Sequence, residues 1–287
     1  MRYEAPKTLE AALALLVSRE GQARVLAGGT DLLVQMRAGR AEPALLVDVK
    51  GIPEMTSIAE EGGAFRIGAA VPCMDLIDHP RLPAVWPGII DGVKLIGSIQ
   101  VKGRATMGGN LCNASPAADS VPGLIAAGAT ASIAGPKGRR ELPVADFALG
   151  PGKTALAPDE LLVSFLLPQR PPRSGDAYLR FTPRTEMDIA VAGAAVNLTL
   201  DAQSVCSAAR VSLGAVAERA LLVPEAAAAL LGTRVDAAAL ERLGAAASAA
   251  CRPIDDKRGT REFRTRVTGV LARRAAAIAL ERAKEAS

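Results

Sequence analysis

ATMGGNLCNASPAAD, residues Ala105 to Asp119, and AGGTDLL, residues Ala27 to Leu33, are the two stretches from which the rest of the chain can be read. Each holds a glycine pair followed directly by a small polar residue, Gly28-Gly29-Thr30 and Gly108-Gly109-Asn110. Paired glycines turn sharply and expose backbone N–H groups, and clustered N–H groups neutralise anionic oxygen without lysines. A diphosphate suits that arrangement. A glycine pair standing alone is an ordinary turn. Two such pairs in one chain, the second trailing Ser115, Pro116 and Asp119 without helix or strand periodicity, point to a ligand. Gln100 to Asp119 accordingly reads as one long, ordered binding loop, basic at Lys102 and Arg104.

Upstream, Thr8 can cap a helix in which Leu9, Ala12, Leu13 and Leu16 recur at helical spacing, with Gly21 just past its end. A strand, Arg24 to Ala27, leads into the first glycine turn. A short helix, Asp31 to Ala38, follows with Leu32, Leu33 and Met36 facing inward, then a strand, Leu45 to Val49. Asp31 reads as a cap for that helix, because a carboxylate favours the helix start and repels a phosphate beside it. The order resembles a nucleotide-binding βαβ unit, but the third glycine of the dinucleotide fingerprint and the Lys-Ser/Thr of a P-loop are missing.

Glu60 to Gly63 reads as a hairpin turn, Phe65 to Ala70 as the returning strand, and Val71 to Asp78 as the start of a short helix. Trp86 to Ile96 is helical, opened by Pro83 and Pro87. Downstream, Ser120 to Ala127 resumes as a helix, and Thr130 to Ala134 and Leu161 to Leu167 read as strands. Gly150, Gly152 and Lys153 supply a flexible connection between them. Pro168 to Gly175, PQRPPRSG, is the best linker in the chain and marks a domain boundary. Beyond it, Ala177 to Thr182, Ile189 to Leu200 and Ser207 to Val216 read as strands. Asp236 caps a helix to about Ala250. The last helix, Thr260 to Ala286, is about 40 Å long, with its arginines outside and Phe263, Val267, Val270, Leu271 and Ile278 inside.

Composition removes several functions. Net charge is +4 over 287 residues and aromatics make up 3%, so the stacking platforms of nucleic-acid binders are missing. No apolar run reaches the length of a membrane span, and the first apolar run is not that of a signal peptide, which gives a cytoplasmic expectation. Cys73, Cys112, Cys206 and Cys251 are scattered singly and read as buried thiols, not as zinc or iron–sulfur ligands. His79 is the one histidine. It sits before Pro80 in a loop, and nothing around it builds a nucleophile or hydrolytic metal site.

AGGTDLL, ATMGGNLCNASPAAD, APDELLVSFLLP and YLRFTPRTEMDIAVAGAA occur in the order and spacing of the FAD-binding medium subunit of the molybdenum hydroxylases, and the chain resembles that family over essentially its full length. The family includes xanthine dehydrogenase and carbon monoxide dehydrogenase. The resemblance implies an α+β fold: a PCMH-type, vanillyl-alcohol-oxidase-like FAD domain over residues 1–170, in subdomains of about 1–55 and 56–170. A small C-terminal domain with an antiparallel sheet and helices follows at 176–287.

Carried over by position, the resemblance implies a first pyrophosphate loop of Val25, Leu26, Ala27, Gly28, Gly29, Thr30, Asp31 and Leu32. The second is Thr106, Met107, Gly108, Gly109 and Asn110. Asp119 would bond the cofactor's sugar portion, Leu162 would pack near its rings, and Arg180 would keep a cation by the flavin where relatives often have lysine. Ile96 replaces an aromatic residue of xanthine dehydrogenase. No residue of this chain is assigned a catalytic role.

The implied partners are a large subunit with molybdopterin cofactor, where substrate is hydroxylated, and a small subunit with two [2Fe–2S] clusters, in a dimer of heterotrimers. This chain would pass their electrons through FAD to an external acceptor: NAD⁺, a quinone, a cytochrome or oxygen. A self-contained flavin oxidase would need a base or a tyrosine/histidine cluster, against which the scarcity of Tyr and His stands. A non-catalytic assembly subunit would use the glycine loops as turns, and an NAD(P)-binding module would bind nucleotide without flavin.

Overall fold

The computed structural model describes residues 1–18, 23–185 and 187–286; Gly21, and Glu186 within the fourth quoted motif, lie outside them. The first layer contains β1 (Arg2–Glu4), α1 (Leu9–Val17), β2 (Ala23–Leu26), α2 (Leu32–Arg37) and β3 (Leu45–Asp48). Its three strands run parallel in the order β1-β3-β2. The central β3, Leu-Leu-Val-Asp, is buried throughout, as a strand flanked on both edges should be. Thr8 caps α1 by accepting from Ala11 N. The AGGTD turn leaves the C-terminal end of β2, where parallel α/β layers place their ligands.

The second layer adds α3 (Pro53–Thr56), β4 (Ile58–Glu61), β5 (Ala64–Gly68), α4 (Cys73–Ile77), α5 (Leu82–Val85), α6 (Pro87–Val93), α7 (Ile99–Lys102), α8 (Met107–Cys112) and α9 (Ser120–Ala127). It continues through β6 (Thr130–Gly135), β7 (Gly138–Pro143), β8 (Ala148–Gly150), β9 (Lys153–Thr154) and β10 (Leu161–Leu167). An antiparallel sheet runs β4-β5-β10-β6-β7, with β8 and β9 as a separate hairpin. Every residue of α9 is buried.

The remainder is β11 (Ser174–Phe181), β12 (Ala192–Leu200), β13 (Cys206–Gly214), β14 (Leu221–Leu222), α10 (Pro224–Ala228), α11 (Ala237–Ala250) and α12 (Arg261–Glu285). Its four strands are antiparallel in chain order. Helix α9 packs on β12 and β13, while α12 packs on β11 and β12. One core gathers side chains from Leu9 to Leu167 together with Ala220, and a second those from Ala177 to Ala283.

Several expectations are corrected here. Gln100–Asp119 is not a loop: Ser98 caps α7, and Thr106 caps α8 through Gly109 N. Small residues hide the helical period, which survives only in buried Met107 and Leu111, spaced i, i+4. The Gly150–Lys153 connection is the β8–β9 hairpin, and β7 pairs along β6 where no strand was expected.

The Pro168–Gly175 stretch, read as the linker, is tied down at Arg170. The Arg170 guanidinium lies 4.7 Å over the Trp86 ring and ion-pairs with Asp176 at 2.7 Å, and β11 already begins at Ser174. In α2, Leu33 is 49% exposed, because no layer covers that side of the helix. In α12, Arg264 is buried and Ile278 exposed. Arg264 donates to the Val191 carbonyl at 2.8 Å and to Asp256 at 2.7 Å, so its charge is paid for by fixed acceptors. No helix among the described residues is long and apolar enough to cross a membrane.

Candidate functional site

The two glycine turns line one groove. A Cβ on Gly28 would overlap the carbonyl oxygen of Arg104, so the backbones of the first turn and of the segment before α8 are in direct contact. Gly29 takes φ +76°, a conformation that bends the chain from β2 into α2 and that a side chain would strain. Between them opens a groove of about 570 Å³, within the range of cofactor pockets. Its walls come from both layers.

Of the residues singled out from sequence, Val25, Ala27, Gly28, Gly29, Thr30, Asp31 and Leu32 line one wall. Thr106, Gly108, Gly109, Asn110, Ile96 and Leu162 line the other. Leu26 and Met107 instead point into the protein and are buried. Asp119 and Arg180 are not among the lining residues. Asp31 stands at the start of α2, yet its side chain makes no capping bond, so the capping role expected of it is not seen.

Arg24 is the one cation among the described residues lining the groove, and backbone N–H groups add donors at its glycine turns. The N–H groups at the start of α8 precede the first intrahelical acceptor, and Thr106 Oγ1 takes that of Gly109 at 2.9 Å. Those of Gly28, Gly29 and Thr30 have no acceptor among the described residues. A Cβ on Gly109 would meet nothing closer than Thr106 Oγ1 at 3.1 Å, so this glycine leaves open space on the groove side. These features fit a diphosphate held by N–H groups and the close approach that missing side chains allow.

Four supporting hydrogen bonds join residues outside the quoted motifs to the groove. Lys50 Nζ donates to the Ala27 carbonyl at 3.1 Å and to Asp48 at 2.8 Å, and Tyr3 adds its hydroxyl to Asp48 at 2.5 Å. Burial pushes the Asp48 carboxyl up, but the hydrogen bonds from Lys50 and Tyr3 outweigh it and hold the group below its ordinary value. Gln35 Nε2 donates to Asn113 Oδ1 at 3.2 Å, tying α2 to the end of α8. The lining also includes Gly152, Thr154 and the Leu156–Pro158 stretch, brought in by the β8–β9 hairpin. A lone lysine or glutamine gives no pattern from which such cross-chain contacts could be read.

Asp119 and Arg180 are joined behind the wall. Arg180 Nη1 donates to Asp119 Oδ2 at 2.5 Å and the Tyr178 hydroxyl to Oδ1 at 2.9 Å. Burial pushes the Asp119 carboxyl up to about 6, opposed by Arg180 and Tyr178. Asn110 connects this pair to the groove, its Oδ1 accepting from Ser120 Oγ at 2.7 Å.

The other polar candidates are structural. His79 Nδ1 accepts from the N–H groups of Arg81 and Leu82, a turn-capping role. Cys73, Cys206 and Cys251 are buried, but Cys112 is exposed and lines the groove, contrary to the expectation of four buried thiols. Among the described residues no cluster of His, Cys, Asp and Glu could hold a metal.

Comparison with known proteins agrees with this architecture. Residues 1–170 match the model of the FAD binding domain in molybdopterin dehydrogenase, and residues 177–279 that of the CO dehydrogenase flavoprotein C-terminal domain. The carbon monoxide dehydrogenase medium chain of Afipia carboxidovorans is 37% identical over 98% of this chain and 97% of its own. The carbon monoxide dehydrogenase structure from Hydrogenophaga pseudoflava superposes with a TM-score of 0.94 at 36% identity, covering 98% of both chains. Quinoline 2-oxidoreductase from Pseudomonas putida 86 gives 0.90 at 28% identity, over 100% of this chain and 98% of that one.

Proposed function

Because the chain belongs to the FAD-binding medium subunits of the xanthine dehydrogenase and carbon monoxide dehydrogenase family, we propose that the groove holds FAD and that the chain is the electron outlet of a molybdenum hydroxylase. It takes electrons from the [2Fe–2S] clusters of a small partner subunit and passes them to an external acceptor, while substrate is hydroxylated on a large molybdopterin subunit. The observation that carries this is that both glycine turns line one groove, the first packed directly on the Arg104–Ala105 backbone that leads into the second.

The bound flavin supplies the redox chemistry, accepting and releasing electrons in a site that offers no catalytic side chain. The N–H groups of Gly28 to Thr30 and of the first turn of α8 bind its diphosphate. Leu162 and Ile96 offer apolar surface to its rings, and Asp119, paired with Arg180, serves its sugar portion. Val25, Ala27, Asp31 and Leu32 shape the first wall, and Thr106, Gly108 and Asn110 the second, with Leu26 and Met107 as their buried anchors. Among the described residues lining the groove there is no tyrosine or histidine, which weighs against a self-contained oxidase.

In this proposal residues 1–170 carry the cofactor, as subdomains of about 1–55 and 56–170, and 176–287 form the second domain. The assembly is a cytoplasmic dimer of heterotrimers.

The test is the absorbance spectrum and released-cofactor identity of the chain purified with its neighbours and alone. About one FAD per chain without iron is the expected result. A colourless chain in both preparations would leave the glycine turns as structural and favour an assembly subunit.

Lys50→Met checks the support of the first turn. It leaves the Ala27 carbonyl without its donor and Asp48 with Tyr3 and the backbone N–H of residue 50, a loss on the order of 1–3 kcal/mol. FAD affinity, measured by fluorescence titration, is expected to fall about tenfold, for about 1.4 kcal/mol of that loss.

A further inference from the structure

The C-terminal sheet reaches Asp119, behind the groove wall, through a hydroxyl. Tyr178 is 2% exposed and packs with Ala126, Ala195 and Leu95, the last being the neighbour of groove residue Ile96. Tyr178 and Arg180 are two apart on β11 and so project from one face of the strand. Each gives one hydrogen to a different oxygen of Asp119. A carboxylate has about four acceptor positions, so one remains open on each oxygen. Phenylalanine would fill the same apolar space; the hydroxyl is used on the carboxylate.

We infer that Tyr178 is a positioning residue, whose hydroxyl, together with Arg180, fixes the Asp119 carboxylate to accept from a hydroxyl of the FAD sugar portion. This rests on the proposed role of Asp119 toward FAD. The second domain thereby contributes to the affinity of a groove built wholly from the first.

The groups facing Asp119 are few. Tyr178 and Arg180 come from β11, and α6 presents the backbone of Gly92, where a Cβ would lie 2.5 Å from the Asp119 carbonyl oxygen. From α8 comes the neutral Asn110, through Ser120. Burial and the adjacent Asp119 push the Tyr178 phenol well above its ordinary value, so it remains a donor across the neutral range. A donor that bonds the ionised carboxylate lowers its pKa. Removing the hydroxyl raises it, and the pH at which Asp119 loses its accepting form moves up.

The experiment is an FAD titration of the flavin-stripped complex, followed by flavin fluorescence from pH 5 to 8. In the unaltered protein affinity should fall as pH drops through about 6. Tyr178→Phe should bind FAD about tenfold more weakly at pH 7, the size of one hydrogen bond to a charged group, with its midpoint shifted to higher pH. Gly193→Ala gives a second route: its Cβ would lie 2.5 Å from the Tyr178 hydroxyl, displacing it without removing it, and the midpoint should move the same way. Asp119→Asn should be weak and flat with pH. Unmoved affinity and midpoint in Tyr178→Phe and Gly193→Ala, beside a weak Asp119→Asn, would overturn the inference. Ordinary binding and an ordinary pH profile in Asp119→Asn would instead remove the role of Asp119 itself.

Discussion

Gly109→Val is expected to abolish FAD retention while the protein still folds. The glycine sits in the first turn of α8, where its missing Cβ faces open groove and only Thr106 Oγ1 lies within contact range. A valine there meets little protein, so the cost to folding stays within the ~1–3 kcal/mol of modest overpacking. It meets the space a diphosphate must enter, so affinity should drop at least about 100-fold, or ~2.7 kcal/mol. Gly28→Val makes the contrast, since its Cβ would overlap the Arg104 carbonyl and force the first turn off the Arg104–Ala105 backbone. That variant should lose thermal stability as well as flavin. Flavin content and melting temperature measured together separate the cases, and normal flavin in Gly109→Val would sink the diphosphate assignment.

The same glycines show what sequence can and cannot disclose about the site. Gly28 and Gly109 stand out as candidates because two glycine pairs, each followed directly by a small polar residue, occur in one chain. That Gly28 approaches protein and Gly109 approaches open groove depends on which backbone segments the fold brings together. The extent of α8 was hidden for a related reason: Thr106 caps a helix of small residues, and Met107 and Leu111 alone carry its period. Helix α9, strand β10 and the caps Thr8 and Asp236 were legible because each rests on local chemistry. Lys50, Gln35 and Tyr178 were not, since each acts on a partner far along the chain.

Helix α12 departs furthest from what the sequence predicts, and its packing carries the largest stability effect. The bulky side chains predict an apolar stripe, yet the buried face is largely alanine: Ala272, Ala275, Ala276, Ala279 and Ala283. Small residues let the helix lie close on β11 and β12, where Gly175, Ala177, Ala192 and Ala194 answer them. Close approach gains dispersion contacts along the whole helix, at the expense of any tolerance for added volume. Gly175 marks the tightest point, because a Cβ there would overlap the Ala279 carbonyl and crowd the Ala283 N–H. Both are backbone atoms of the helix and cannot move aside as a side chain could.

Gly175→Val must therefore shift α12 bodily off the sheet, breaking the contacts of several turns at once. The expected loss is more than about 4 kcal/mol, the range that single substitutions reach only through such mechanisms. Thermal unfolding should show a lowered transition, or soluble protein should fail to accumulate. Ala177→Ser, a change of similar position but nearly equal volume, should be far milder. A Gly175→Val protein that melts at the ordinary temperature would mean that the helix does not rest on the strand this closely.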